Sequence, residues 1–201
     1  IEVERTAHSR LAGLDFKSLP FGSVFSDHVF QIDYQQGEWV RPRIQPYAEL
    51  TLSPATSALH YGQTIFEGMK AYRDKDGQII LFRPQDHLNR LNRSGERLCM
   101  PPIPKAVFDQ GLHELLKVDQ EWVPSDGALY IRPLYFATGT TIGVTAAQYY
   151  RFLIFTAPVT TYYAEPIRAW VTRNYTRAAE GGVGYAKTAG NYSRALIAGQ
   201  E

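Results

Sequence analysis

The chain has 201 residues, 44% of them hydrophobic and 20% charged, which is typical of a globular protein. Its 21 basic and 20 acidic side chains nearly cancel, which argues against a surface for nucleic acid or for an anionic membrane. No apolar run reaches the length of a membrane span. The single cysteine, Cys99, excludes an internal disulfide framework and favours a reducing compartment, so we expect a cytoplasmic protein.

The first part of the chain predicts loops followed by strands. Residues 1–25 are weakly periodic and predict loops with one short helix at most. Residues 28–47 predict two strands around a Gln-Gln-Gly turn. The run MKAYRDKDGQIILFR predicts a clearer hairpin, because Asp74 to Gly77 supplies turn residues between two strand-like segments.

Two helices are predicted next. The first covers residues 84–100, with Pro84 in its first turn and Leu88, Leu91 and Leu98 on one face. The second covers residues 104–118. Its predicted buried residues are Val107, Phe108, Leu112, Leu115 and Leu116.

The remainder predicts strands at 128–138, 150–159 and 167–172. The small polar residues 139–148 between the first two strands predict a connection between domains. Residues 191–201 predict a helix that has no stop signal, and we therefore expect the chain to be part of a longer protein.

The segment GGVGYAKTAGNY places Lys187 among residues with almost no side chain. One interpretation is a flexible surface loop, since glycine clusters often mark turns. The other is a lysine that forms an imine with the aldehyde of pyridoxal phosphate, whose flat ring needs the space that Gly184, Ala186 and Gly190 leave. In that case the hydroxyl of Tyr192 would face the cofactor ring.

A cofactor phosphate requires a cation. Arg83, Arg90, Arg93 and Arg97 lie on or near the first predicted helix, and a guanidinium binds phosphate through two parallel hydrogen bonds. The alternative is that these arginines form a solvated helix face. The five histidines are far apart in sequence without paired metal-ligand spacing, so we expect no metal site.

Four motifs together resemble the branched-chain amino acid aminotransferases, which are pyridoxal-phosphate enzymes of fold type IV. In chain order they are HYGQTIFEGMKAYR, FRPQDHLNRL, YIRPLYF and GYAKTAGNY. The resemblance implies a two-domain α/β fold. It implies a smaller N-terminal domain at 1–138, an interdomain loop at 139–149 and, at 150–201, the start of a larger cofactor-binding domain that is incomplete here.

The resemblance also assigns site residues. Lys187 matches the lysine that holds pyridoxal phosphate as a Schiff base and moves the substrate α-proton. Tyr192 matches the tyrosine on the cofactor ring oxygen, and Arg90 matches the arginine on its phosphate. The matched substrate-pocket residues are the aromatic walls Tyr61, Phe66 and Tyr162, the carboxylate pair Tyr130 and Arg132, and the interdomain-loop residues Ile142, Gly143 and Val144.

The implied reaction is reversible amino transfer between leucine, isoleucine or valine and 2-oxoglutarate in a homodimer, where the interdomain loop reaches the partner's site. Family members continue beyond the lysine, so the glutamate on the cofactor nitrogen and the remaining phosphate loops are expected beyond residue 201. Alternatives within the fold are a D-amino acid or amine aminotransferase and an aminodeoxychorismate lyase. An alternative of another class is a non-catalytic binding or assembly module.

Overall fold

The computed structural model describes residues 1–16, 19–160 and 165–200. Within these residues the chain forms eight strands: β1 (Glu2–Val3), β2 (His28–Gln35), β3 (Glu38–Pro46), β4 (Thr64–Phe66), β5 (Met69–Arg73), β6 (Ile79–Leu81), β7 (Ala128–Ala137) and β8 (Tyr150–Val159). The helices of the same residues are α1 (Ser57–Tyr61), α2 (Pro84–Arg97), α3 (Lys105–Val118) and α4 (Gly190–Ser193). No helix in these ranges is both long and apolar enough to span a membrane.

The strands form one mixed sheet in the order β1-β3-β2-β8-β7-β5-β6, and β4 pairs with β7 beside this path. β1 runs parallel to β3, while the other pairs are antiparallel. The two longest strands, β7 and β8, pair from Ala128↔Val159 to Ala137↔Tyr150. They form the centre of the sheet, and β4 at their side carries the residues next to the candidate site.

Helix α3 covers one face of the sheet and makes the main hydrophobic core. Phe108 and Leu112 of α3 are fully buried in the same cluster as Phe30 and Ile32 of β2. A Cβ at Gly111 would overlap the ring of Phe30, so only glycine lets the helix approach the strand this closely. Burying these side chains is the principal stabilising contribution of this layer.

Several predicted elements are confirmed. The hairpin turns at Asp74–Gly77, with Gly77 in the left-handed region at φ +79° and the N–H of Asp74 donating to the carbonyl of Gln78. Leu88 and Leu91 of α2 are buried, as the leucine spacing predicted, whereas the helix ends at Arg97, before the predicted residue 100, and Leu98 is only partly buried. The residues predicted to be buried in α3 are also buried, except Val107, which packs against the core while partly buried.

The predictions for two segments near the C-terminal end of the sequence are wrong. Residues 167–172 form no strand, because no neighbouring strand in the described chain pairs with them, and Val171 is 86% exposed. The predicted helix at 191–201 is limited to the short α4, followed by turns.

The structure also places β8 inside the N-terminal sheet, between β2 and β7. The strand predicted to open a second domain at residue 150 is therefore continuous with the first sheet. The division of the chain into two domains stays a prediction.

Candidate functional site

The backbone of Lys187 is fixed between a strand and a helix. Thr188 forms an isolated antiparallel bridge with Ile65 of β4, and the N–H of Phe66 donates to the carbonyl of Lys187 at 3.1 Å. The N–H of Lys187 donates to the Ser94 hydroxyl of α2 at 2.9 Å, and that hydroxyl donates to the carbonyl of Arg90 at 2.9 Å. Because contacts with both β4 and α2 fix the backbone of Lys187, its side chain starts from a defined position.

The buried side-chain amide of Asn191, after Lys187, is hydrogen-bonded to the backbone of the segment before Lys187. Asn191 is 2% exposed, and its Nδ2 donates to the carbonyls of Val183 at 2.8 Å and Ala186 at 2.7 Å. A Cβ at Gly184 would overlap Ala178, so this glycine permits close packing of two backbone segments. Gly190, in contrast, has open space around its Cα. Sequence reasoning missed Ser94 and Asn191, whose partners are backbone atoms that no side-chain pattern reveals.

The side chain of Lys187 lies in a small aromatic cluster. Its Nζ donates to the hydroxyl of Tyr192 at 2.7 Å and lies 4.4 Å from the ring centroid of Phe66. The Phe66 and Tyr192 rings are 4.9 Å apart. The structure thus brings together three residues that the resemblance assigned to one site: an amine, a phenol and an apolar wall.

Arg90 is held by a carboxylate that sequence reasoning missed. Its Nε and Nη2 donate to the two carboxylate oxygens of Glu67 at 2.5 and 2.8 Å. The Glu67 side chain is completely buried, and it also accepts from His87 Nδ1 at 3.0 Å and from the N–H of Gly68 at 3.2 Å. Because an unpaired buried carboxylate is costly, these four donors account for the charged side chain beside the buried Met69.

Glu67 and Arg90 each stabilise the ionised form of the other. Burial acts to raise the pKa of the Glu67 carboxyl, but the hydrogen bonds from Arg90 and His87 outweigh burial and leave that pKa lowered. The hydrogen bond with Glu67 raises the pKa of the Arg90 guanidinium. Both groups are therefore ionised at neutral pH.

Arg132 and Tyr130 lie on β7, next to the aromatic cluster. The guanidinium of Arg132 is 4.5 Å from the ring centroid of Phe66, and it donates to the hydroxyl of Tyr130 from Nη2 at 3.0 Å. A Cβ at Gly68 would overlap that hydroxyl, so Gly68 leaves the space that Tyr130 occupies. A cavity of about 230 Å³ opens beside this pair, with Phe25 and Phe155 on its wall.

The other predicted site residues are placed differently. Tyr61 ends α1, beside the ring of His60, and the residue is 40% exposed. Ile142 and Val144 flank Gly143 in a loop extending into solvent, and they are 70% and 88% exposed. Tyr162 lies outside the described residues. The roles predicted for these residues stay predictions.

Comparisons with known proteins identify the family of this chain. A family model described as Amino-transferase class IV matches residues 64–201. Branched-chain-amino-acid transaminase 1 of Bacillus subtilis (strain 168) is 46% identical over 205 residues, covering 98% of this chain and 57% of the relative. The chain therefore spans little more than half of that relative's length.

Solved structures share the fold at lower identity. A branched-chain aminotransferase from Thermoproteus uzoniensis with norvaline has a TM-score of 0.67 at 23% identity, covering 85% of this chain and 55% of that one. The branched-chain amino acid aminotransferase of T.th., complexed with N-(5'-phosphopyridoxyl)-L-glutamate, has a TM-score of 0.60 at 23% identity. That match covers 83% of this chain and 53% of the other.

Proposed function

The chain belongs to the class IV aminotransferase family, and from this premise we propose that the full-length protein transfers amino groups between branched-chain L-amino acids and 2-oxoglutarate. The proposed cofactor is pyridoxal phosphate, bound covalently to Lys187. The observation that carries the proposal is the hydrogen bond of 2.7 Å between Nζ of Lys187 and the hydroxyl of Tyr192. It brings a primary amine to a phenol on a fixed backbone, a combination that a general binding module does not require.

The residues present fit the chemistry of pyridoxal phosphate. The amine of Lys187 is the group that combines with its aldehyde, the Tyr192 phenol suits its ring oxygen, and the Arg90 guanidinium suits its phosphate. When bound, this cofactor withdraws electrons from the substrate α-carbon. The Gly190 backbone leaves space at this end of the site, because a Cβ there would meet no atom within 4 Å.

The chain's own residues would then perform three tasks. Lys187 would take the proton from the α-carbon of the amino acid in one half-reaction and deliver a proton to the α-carbon of the 2-oxo acid in the other, with its ammonium form stabilised by the nearby Tyr192 oxygen and the Phe66 ring. Arg90 holds the phosphate end of the cofactor. Arg132 binds the substrate carboxylate, and Tyr130 fixes the guanidinium through the bond of 3.0 Å.

Phe66 supports an aliphatic substrate. Its ring packs on Tyr192 and lies under Arg132, so one apolar face adjoins the group proposed to bind the carboxylate. Burying a leucine-sized side chain on such a wall contributes on the order of 1.5–3 kcal/mol to binding. The B. subtilis relative carries the name of a branched-chain-amino-acid transaminase, which supports this substrate class.

A homodimer is part of the proposal. Ile142 and Val144 are apolar, yet they are 70% and 88% exposed, and a partner subunit would remove them from water. Their loop follows β7, the strand that carries Tyr130 and Arg132. As the resemblance of the sequence to the branched-chain aminotransferases implies, we expect the loop to contact the substrate site of the partner subunit.

The test uses the full-length protein with pyridoxal phosphate, borohydride reduction and peptide mapping. We expect an absorption band that borohydride bleaches, with the label on Lys187, and turnover of L-leucine with 2-oxoglutarate. Lys187→Ala should lose label and turnover, whereas Lys117→Ala, an exposed lysine on α3, should retain both. Label on another lysine contradicts the proposal, and turnover of D-amino acids alone would indicate the alternative aminotransferase of the same fold.

A further inference from the structure

The Glu67 carboxylate joins two parts of the candidate site. It lies in the turn between β4 and β5, and its side chain is completely buried. Four N–H groups donate to it: two from Arg90, one from His87 and one from the backbone of Gly68. Arg90 and His87 both lie on α2, so this one carboxylate ties the helix to the strand that carries Phe66.

The geometry of the ion pair defines what remains available on Arg90. Nε and Nη2 are both engaged by Glu67, which is the parallel two-bond arrangement that fixes the guanidinium plane. In the described part of the chain, Nη1 is left without a hydrogen-bond partner, and 45% of the Arg90 side chain is exposed. A phosphate could approach that free edge, while the other edge stays bound.

We propose that Glu67 is a positioning residue that holds Arg90 in the orientation in which it binds the cofactor phosphate. The inference rests on the proposed function, because it concerns the same cofactor. Without the carboxylate, Arg90 would have to lose rotamer freedom on each binding event, and the cost of ordering the side chain would weaken binding. The negative charge of Glu67 weakens the attraction between Arg90 and the phosphate, but the preorganisation of Arg90 offsets this loss.

The proposed role of Glu67 concerns only the phosphate of the cofactor. Pyridoxal has the same ring and aldehyde as pyridoxal phosphate but lacks the phosphate. A residue acting through Arg90 affects binding of the phosphorylated compound alone, whereas a residue that only stabilises the fold affects both compounds. The affinity ratio of the two compounds therefore measures the contribution that Glu67 is proposed to support.

The experiment titrates the full-length apoprotein with pyridoxal phosphate and, separately, with pyridoxal. Glu67→Gln removes the charge at nearly constant volume, and we expect it to weaken pyridoxal phosphate binding about ten- to a hundredfold with pyridoxal changed by less than about twofold. Glu67→Asp keeps the charge but shortens its reach, so it should show the same selective loss and serves if Glu67→Gln folds poorly. Glu96→Gln changes an exposed glutamate on α2, the helix that carries Arg90; it is the matched control and should change neither affinity.

The outcomes are distinct. Equal weakening of both compounds in the Glu67 variants would show a structural role only, and unchanged affinities would show that Arg90 needs no partner. Either result overturns the inference while the wild-type preference for the phosphorylated compound leaves the proposed function standing. A wild-type protein that fixes no cofactor on Lys187 overturns the proposed function, and this inference with it.

Discussion

Nζ of Lys187 and the hydroxyl of Tyr192 lie 2.7 Å apart although the two residues are five positions apart in sequence. The short α4 begins between them, at Gly190, and turns the tyrosine back over the lysine. The hydrogen bond to Tyr192 thus fixes the orientation of the Lys187 amine. A group preorganised in this way loses less entropy when the site is loaded.

Replacing Tyr192 by phenylalanine should separate this hydrogen bond from the aromatic contact. Tyr192→Phe keeps the ring near Phe66 but loses the hydroxyl, so we expect pyridoxal phosphate binding to weaken about two- to tenfold while the label stays on Lys187. Absorbance titration and peptide mapping provide the measurement. Tyr149→Phe, which removes an exposed hydroxyl, is the control. Unchanged affinity in Tyr192→Phe would contradict the role of the hydroxyl.

Gly68→Ala should affect substrate binding more than folding. The added methyl overlaps the hydroxyl of Tyr130 and displaces it from Arg132, which loses a fixed orientation toward a carboxylate. We expect KM for the amino acid to rise about tenfold, with a smaller change in kcat. Steady-state kinetics measure both. Gly199→Ala, where the new methyl makes only ordinary contacts, should leave KM unchanged.

Asn191→Ala should destabilise the segment around Lys187. The substitution leaves the carbonyls of Val183 and Ala186 without their buried donor, which costs about 1–3 kcal/mol of unfolding free energy. Denaturant unfolding measures the loss. Asn89→Ala removes an exposed amide on α2 and should change the unfolding free energy by less than about 0.5 kcal/mol. Equal unfolding free energies of the two variants would contradict a stabilising role for the Asn191 hydrogen bonds.

The pH dependence of stability should reveal the Glu67 carboxylate. Its pKa in the folded protein is lowered from the ordinary value of 4.5, so the folded state favours the ionised form. Its contribution is then fully present above pH 4.5 and is lost as the pH falls through the lower pKa of the folded protein. Unfolding free energies measured from neutral to acidic pH should fall more steeply for the wild type than for Glu67→Gln. Parallel curves would contradict the lowered pKa.

Local patterns in the sequence predicted the local elements well. The spacing of Leu88 and Leu91 and the turn residues before Gly77 each act within a few positions of the chain, and both elements formed as expected. The insertion of β8 between β2 and β7 depends on pairings with distant strands, which periodicity does not encode. Residues 167–172 have the composition of a strand but no partner in the described chain, and composition alone does not make a strand.

The candidate site was predictable to a similar extent. Motifs identified Lys187, Tyr192 and Arg90, and the structure shows that the first two are in contact. Glu67 was not identified, because its partner Arg90 is 23 positions away and only the packing of α2 on β4 brings them together. The buried position of a charged side chain is a property of the fold, and it becomes visible only there.

The Ser94 hydroxyl links the two ends of the proposed cofactor site. It donates to the Arg90 carbonyl and accepts from the Lys187 N–H. The two residues proposed to hold opposite ends of one cofactor are therefore both attached to Ser94 of α2. The distance between the backbones of Arg90 and Lys187 is therefore set by their contacts with Ser94 of α2.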